Sequence, residues 1–331
     1  MPSLSERYEA EVVNFDCDKA VEGICETMRD IMRSKLRRRG VVVAVSGGID
    51  SSVSAALAVK AFGAKKAFFI QLPEVDSAED TQSRGRQLID FLGVDHTTHN
   101  IAATLEAIGC YDARDEAIKK TFPEYSDGWK NKIVIKGGLD GRVNHFMLVV
   151  QNPEGELHEK RLDLKEYLQI VAATNYKQRI RKTIEYFHAD RLNYAVIGTP
   201  NRLEYDQGFF VKNGDGSADL KPIAHLYKTQ VYALAKHLDL PASICNATPT
   251  TDTYSLPQGQ DEFYFALPYQ EMDKALWAHN IGASASDLAG MLNISEEQAK
   301  FVFQDIVNKR KTTHYLHAKP YLIEPIPELN L

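Results

Sequence analysis

Residues 41–52 read VVVAVSGGIDSS, and the fold of the whole chain turns on this stretch. Val41 to Val45 show no polar alternation and are rich in β-branched valine, the pattern of a strand buried on both faces. Ser46, Gly47 and Gly48 then impose a tight turn, and helix formers run from about Ser52 to Phe62. A turn of small residues between a buried strand and a helix aims backbone N–H groups at one point, where the helix dipole adds positive potential. Such a point attracts an anion, and phosphate is the obvious candidate. The stretch is not a Walker loop, because no Gly-Lys-Ser/Thr follows, nor a dinucleotide fingerprint, because Gly-x-Gly-x-x-Gly is absent. Its distinguishing residue is Asp50, a carboxylate placed to hold magnesium against a phosphate.

Working outward, Val21, Ile24, Met28, Ile31 and Met32 mark one face of a helix within residues 17–37. The basic run Arg33–Arg39 reads as its solvated end, with Gly40 as the terminator. Downstream, Ala67–Leu72 is a second strand, Ser77 with Asp80 opens a helix that stops at Gly93, and His96–Ile101 is a third strand. Helical rhythm returns at Asn175–His188, followed by a strand at Tyr194–Gly198 and a helix at Leu226–Leu238. The alternation predicts an α/β fold, a doubly wound parallel sheet with helices on both faces and ligands beyond the strand C-termini. Between about residues 111 and 166 the pattern breaks. Ile133–Ile135, His145–Gln151 and Leu157–Leu162 predict an inserted β-hairpin or meander with turns at GGLDGR and NPEGE. Gly137, Gly138 and Gly141 have no helix after them, so they read as a turn and not as a second phosphate loop. Residues 247–262 are polar and long enough for a lid, and the last third is helical. The expectation is one domain spanning 1–331 with an insertion at about 111–166 and a helical C-terminal part.

The chain has 331 residues, 44% of them hydrophobic, enough for a full core. A net charge of −6 argues against a general nucleic-acid or membrane surface. No apolar stretch reaches membrane-helix length, and the N-terminus lacks a signal-peptide core. Cys17, Cys25, Cys110 and Cys245 form no CxxC pair and read as reduced thiols, as in a cytoplasmic enzyme.

Ser-Gly-Gly-Ile-Asp-Ser-Ser at 46–52 resembles the pyrophosphate loop of ATP pyrophosphatases, which split ATP into AMP and pyrophosphate. Further motifs follow at 175–181 (NYKQRIR), 198–204 (GTPNRLE), 208–219 (GFFVKNGDGSAD), 221–223 (KPI), 226–231 (LYKTQV) and 248–252 (TPTTD), in the order seen in NAD synthetases. The resemblance covers about 40–110 and 170–320. It implies an adenine nucleotide α-hydrolase-like fold and an ammonia-dependent amide ligase with ATP as co-substrate. In such enzymes the nicotinate carboxylate of deamido-NAD is adenylated with loss of pyrophosphate, and ammonia then displaces AMP. By the same resemblance Ala44, Val45, Ser46, Gly47, Gly48, Ile49, Asp50, Ser51, Thr199, Lys228 and Thr250 would contact ATP, and Asp50 and Glu204 would hold Mg2+. Arg179, Lys212, Asp219 and His314 would bind the dinucleotide, and Asp50 and Lys212 would serve the chemistry. Lys228 falls in the first turn of its helix, where a cation is unfavourable unless an anion faces it. Asp215, within Gly-Asp-Gly, suits either a turn or acceptance of a proton from ammonium. The resemblance also implies a homodimer with sites near the interface, and leaves open a separate glutaminase supplying ammonia.

Three departures from the family pattern bear on substrate identity. Thr199-Pro200-Asn201 stands where Thr-Asp-His is frequent. Thr312-Thr313-His314-Tyr315-Leu316 keeps the histidine of a Ser/Thr-x-His-Lys-Arg segment but lacks both cations. Asp261–Leu267 replaces the commoner Asp-Glu-Leu-Gly lid run. Two alternatives therefore stand beside the leading reading: a related amide ligase for another carboxylate, and a nucleotide-binding module without catalysis. A tRNA sulfur-transfer enzyme would need a reactive cysteine and a basic surface, and neither is present in the sequence.

Overall fold

The computed structural model describes residues 2–136, 145–248, 253–259, 264–265 and 267–328. Two N-terminal helices, α1 (Leu4–Tyr8) and α2 (Cys17–Ile31), precede β1 (Val41–Ala44), α3 (Ile49–Phe62), β2 (Ala67–Gln71), α4 (Glu79–Leu92) and β3 (Asp95–Thr98). Helices α5 (Ala102–Ala107) and α6 (Cys110–Thr121) lead into β4 (Lys130–Lys136), β5 (His145–Gln151) and β6 (Leu157–Arg161). The long α7 (Leu164–Leu192) returns the chain to β7 (Ala195–Ile197), followed by α8 (Arg202–Gln207), α9 (Lys228–His237) and α10 (Ala242–Cys245). The chain ends in α11 (Tyr269–Asn280), α12 (Ala285–Leu292) and α13 (Glu296–His317).

Strands β3-β2-β1-β7 form one parallel sheet in that order. The valines of β1 explain why it is central. Val41 and Val43 pack with α2, α3 and α9 on one face, whereas Val42 packs with Leu105, Cys110 and Ala189 on the other. All three are fully buried, so the absence of alternation reflects helices on both faces.

The second sheet is the antiparallel meander β4-β5-β6. Its apolar residues Ile133, Leu148 and Val150 bury against Ile118 and Phe122 of α6, Ile170 of α7 and Tyr254. A hairpin cannot stabilise itself in water, and these helices supply the missing face. The helix α6 was not evident in the sequence, because its apolar positions are few and its surface is highly charged.

Several local expectations shift. Helix α3 begins at Ile49, three residues early, so Asp50 and Ser51 lie in its first turn. Helix α7 begins at Leu164, well before Asn175. Ser77 does not cap α4; its hydroxyl accepts the Glu74 N–H at 3.0 Å, and Ala78 precedes the helix without a side-chain cap. Gly40 does not end the N-terminal helix, because α2 runs on into a π-helical turn at Met32–Leu36 that Arg37 closes with φ 52°. Gly40 is required for proximity, since a Cβ there would lie 2.4 Å from the Lys66 carbonyl oxygen.

Candidate active site

A cavity of about 540 Å³ opens at the carboxyl end of the parallel sheet, beyond β1, β2 and β7. That is where a doubly wound sheet places its ligands, since the strands there diverge into loops. The turn after β1 forms its base, with Ala44, Val45, Ser46, Gly48, Ile49, Asp50 and Ser51 in the wall. Ser52 N–H makes the first intrahelical bond, to the Gly48 carbonyl at 3.1 Å, so the N–H groups of Ile49, Asp50 and Ser51 precede the helical ladder. The Ser46 and Ser51 hydroxyls lie 3.0 Å apart and brace the turn. Gly47 itself is outside the wall. Its φ of 79° and its contact with α4 make it the hinge of the turn.

Asp50 is held from two sides. Lys228, at the start of α9, donates to Asp50 Oδ2, and Asn201 Nδ2 donates to Oδ1 at 3.1 Å. The anion expected opposite Lys228 is thus Asp50. Lys228 is only 2% exposed. Burial opposes its charge, but Asp50 and Glu204 outweigh that and hold its pKa above the ordinary lysine range. Glu204 lines the same cavity, in a reciprocal cap with Asn201 at the start of α8. Asn201, one of the departures from the family pattern, therefore both caps α8 and orients Asp50.

Thr199 and Asp215 also line the cavity. Asp215 accepts the Val211 N–H at 2.7 Å, and burial pushes its carboxyl upward, partly offset by that bond and by Lys182. Lys182 and Glu185, paired at 2.6 Å and both buried, sit in the same wall.

Besides Gly47, four predicted residues lie outside the cavity wall. Arg179 is exposed and donates to the Lys212 carbonyl at 3.3 Å. Lys212 donates to the Tyr315 carbonyl at 2.6 Å, closing the end of α13. Asp219 accepts the Val196 N–H at 2.7 Å and clamps β7. His314 is exposed, and it is Leu316 that reaches the cavity. Thr250 lies outside the described residues. Sequence reasoning missed Arg84, Arg181, Lys182 and Glu185, all in the wall. Arg181 was within a quoted motif, and the isolated Gly85 inside a helix was the available signal for Arg84.

Among the described residues no group of three or more His, Cys, Asp or Glu is arranged to hold a metal ion. Two cavity carboxylates, Asp50 and Glu204, suit a hard cation that takes most of its ligands from phosphate oxygens and water.

A parallel sheet flanked by helices, with a cavity over the Ser-Gly-Gly turn at the carboxyl end of an inner strand, places the chain in the doubly wound α/β class. The chain belongs to the NAD synthase family, whose sequence model matches residues 20–124 and 148–317. The gap at 125–147 takes in β4 and the first residues of β5. The NH(3)-dependent NAD(+) synthetase of Rhizobium meliloti is 53% identical over 97% of this chain and 96% of its own. That of Mesorhizobium japonicum is 51% identical over 95% of this chain and 99% of its own. Among solved structures, NMN synthetase from Francisella tularensis superposes with a TM-score of 0.64 at 23% identity, covering 93% of this chain and 99% of that one. The NH3-dependent NAD synthetase of Campylobacter jejuni gives 0.61 at 21% identity, covering 94% and 100%. These two likenesses establish the shared fold. Among the described residues no helix is long and apolar enough to cross a membrane.

Proposed function

We propose that the chain is an ammonia-dependent NAD synthetase, which adenylates the nicotinate carboxylate of deamido-NAD with ATP and then amidates it to give NAD, AMP and pyrophosphate. The observation that carries the reading is the near-full-length identity of about half to relatives with that activity in their names.

The geometry supports a division of labour. The N–H groups of the first turn of α3 receive phosphate, and Lys228 adds a fixed cation beside them. Asp50 and Glu204 would hold Mg2+, which when bound neutralises charge on the departing pyrophosphate. Lys228 and Asn201 orient Asp50 so that its carboxylate faces the phosphate path. Thr199 and Thr250 would complete the ATP contacts. Asp215, with its raised pKa, suits acceptance of the proton that ammonium must lose before attack. Arg179, Lys212, Asp219 and His314, outside the cavity wall, would bind the dinucleotide, Lys212 also fixing the end of α13.

A second carboxylate, nicotinic acid mononucleotide, is favoured by one observation: Tyr315 and Leu316 occupy positions where the family pattern has two cations. AMP release measured with deamido-NAD, nicotinic acid mononucleotide and simple carboxylates in parallel tests this. Turnover of deamido-NAD with the highest kcat/KM is expected; turnover of the mononucleotide alone would replace the reading.

The homodimer is proposed to form along α7, whose outer face exposes Leu164, Leu168, Tyr176 and Phe187. Leu168→Glu should then yield a monomer in solution by light scattering.

A further inference from the structure

Arg84 stands at the anion-binding turn for a reason visible in two glycines. A Cβ on Gly47 would lie 2.2 Å from the Thr81 carbonyl oxygen, 2.9 Å from the Gly85 nitrogen and 3.1 Å from the Arg84 Cβ. A Cβ on Gly85 would lie 2.6 Å from the Gln71 side-chain nitrogen. Helix α4 therefore rests directly on the turn after β1, its backbone against Gly47, where no larger residue fits; at Gly85 the close neighbour is the Gln71 side chain. Arg84 lines the same cavity as Ser46, Gly48 and Ser51. There its Nε donates to the Gly47 carbonyl and one Nη donates to the Thr81 hydroxyl, both at 3.3 Å.

A guanidinium carries five N–H donors in a rigid fork and is always charged. Two of Arg84's donors are spent on neutral acceptors. Among the described residues no carboxylate bonds to it, and the nearby Asp50 is already taken by Lys228 and Asn201. The arrangement is a pre-positioned cation with donors to spare, braced on the carbonyl of the turn after β1. We infer that Arg84 binds the terminal phosphates of ATP and the pyrophosphate they become, pairing a fork of N–H groups with phosphate oxygens. This rests on the ATP-cleaving reading above and adds a residue to it, on a helix where the sequence shows no nucleotide motif.

The test uses the full chain and the variants Arg84→Ala, Arg84→Gln and Arg84→Lys. Binding of ATP and of inorganic pyrophosphate, each with magnesium, is followed by calorimetry without any carboxylate substrate. KM values for ATP, deamido-NAD and ammonium are measured alongside. Arg84→Ala and Arg84→Gln should weaken both phosphate ligands about ten- to a hundredfold, as loss of a charge-assisted contact does. Arg84→Lys should recover part of that, and the KM values for deamido-NAD and ammonium should change little. Unchanged ATP and pyrophosphate affinity in folded Arg84→Ala and Arg84→Gln would overturn the inference, as would an equal rise in all three KM values. If the wild-type chain binds ATP through Arg84 yet does not turn over deamido-NAD, the inference stands and the substrate assignment fails instead.

Discussion

Lys228 and Asp50 are 178 residues apart, yet they meet as an ion pair between the first turns of two helices. A lysine at a helix N-terminus opposes the dipole, and a carboxylate there complements it, so each residue corrects the other's surroundings. The pair also fixes the distance between the phosphate turn and α9, and so shapes the wall of the cavity.

Removing Asp50 should therefore have two separable effects. Asp50→Ala is expected to lower ATP-dependent AMP release about a hundredfold or more. It also leaves Lys228 buried without its nearest carboxylate, a loss of about 3–5 kcal/mol for breaking a buried pair. The double variant Asp50→Ala/Lys228→Met should recover most of that stability in urea unfolding and none of the activity. Recovery of activity in the double variant would remove Asp50 from the chemistry.

Lys177 is the hub of a second buried network. Only 1% exposed, it donates to Glu74 at 3.1 Å, to Asp76 at 2.6 Å and to the Thr253 carbonyl at 2.9 Å. Tyr111 and Arg114 of α6 bind the same two carboxylates. Lys177→Met leaves Glu74 with the Tyr111 hydroxyl and Asp76 with Arg114 but removes the cation the two acids share, and should cost about 3–5 kcal/mol by chemical denaturation, with Lys177→Arg costing less. A loss below about 1 kcal/mol would mean that the network relaxes toward water.

Asp273 gives the stability a pH dependence. It accepts the N–H and hydroxyl of Thr229 at 2.8 and 2.9 Å, and burial pushes its pKa from 3.8 to about 6. Below about pH 4 the folded and unfolded carboxyls are both protonated, and this group's contribution is fully present. As pH rises through about 6, the unfolded carboxyl ionises more readily and the contribution is lost, on the order of 3 kcal/mol in all. Thermal unfolding of wild type and Asp273→Asn from pH 4 to pH 7 should show the wild type losing ground to the variant. Parallel curves would contradict this.

Ammonium should support amidation by the purified chain, and glutamine alone should not. A cysteine-dependent glutaminase needs a thiolate nucleophile, and the thiols of Cys17, Cys25, Cys110 and Cys245 are all pushed up by burial. Cys25 and Cys110 are almost wholly enclosed as well. AMP formation with glutamine as the sole nitrogen source would refute this.

Much of this protein was legible in the sequence because its signals are local. The valine run, the Ser-Gly-Gly turn and the Gly93 stop each depend on neighbouring residues, and β1, the turn after it and the end of α4 formed where these pointed. The antiparallel meander was readable for the same reason, through its short apolar runs and the NPEGE turn, the GGLDGR stretch lying outside the described residues. Helix α6 was not, because its few apolar positions matter only against α7 and β5. The tertiary structure alone decided which side chains share the cavity. It drew Asp50 to Lys228, turned Asp219 toward the backbone of β7, and placed Leu316 rather than His314 at the wall. It also laid Arg84 on the phosphate turn through the contact of Gly47 with α4. Such pairings span tens to hundreds of residues and are fixed by packing and desolvation, which act only once the helices close on the sheet.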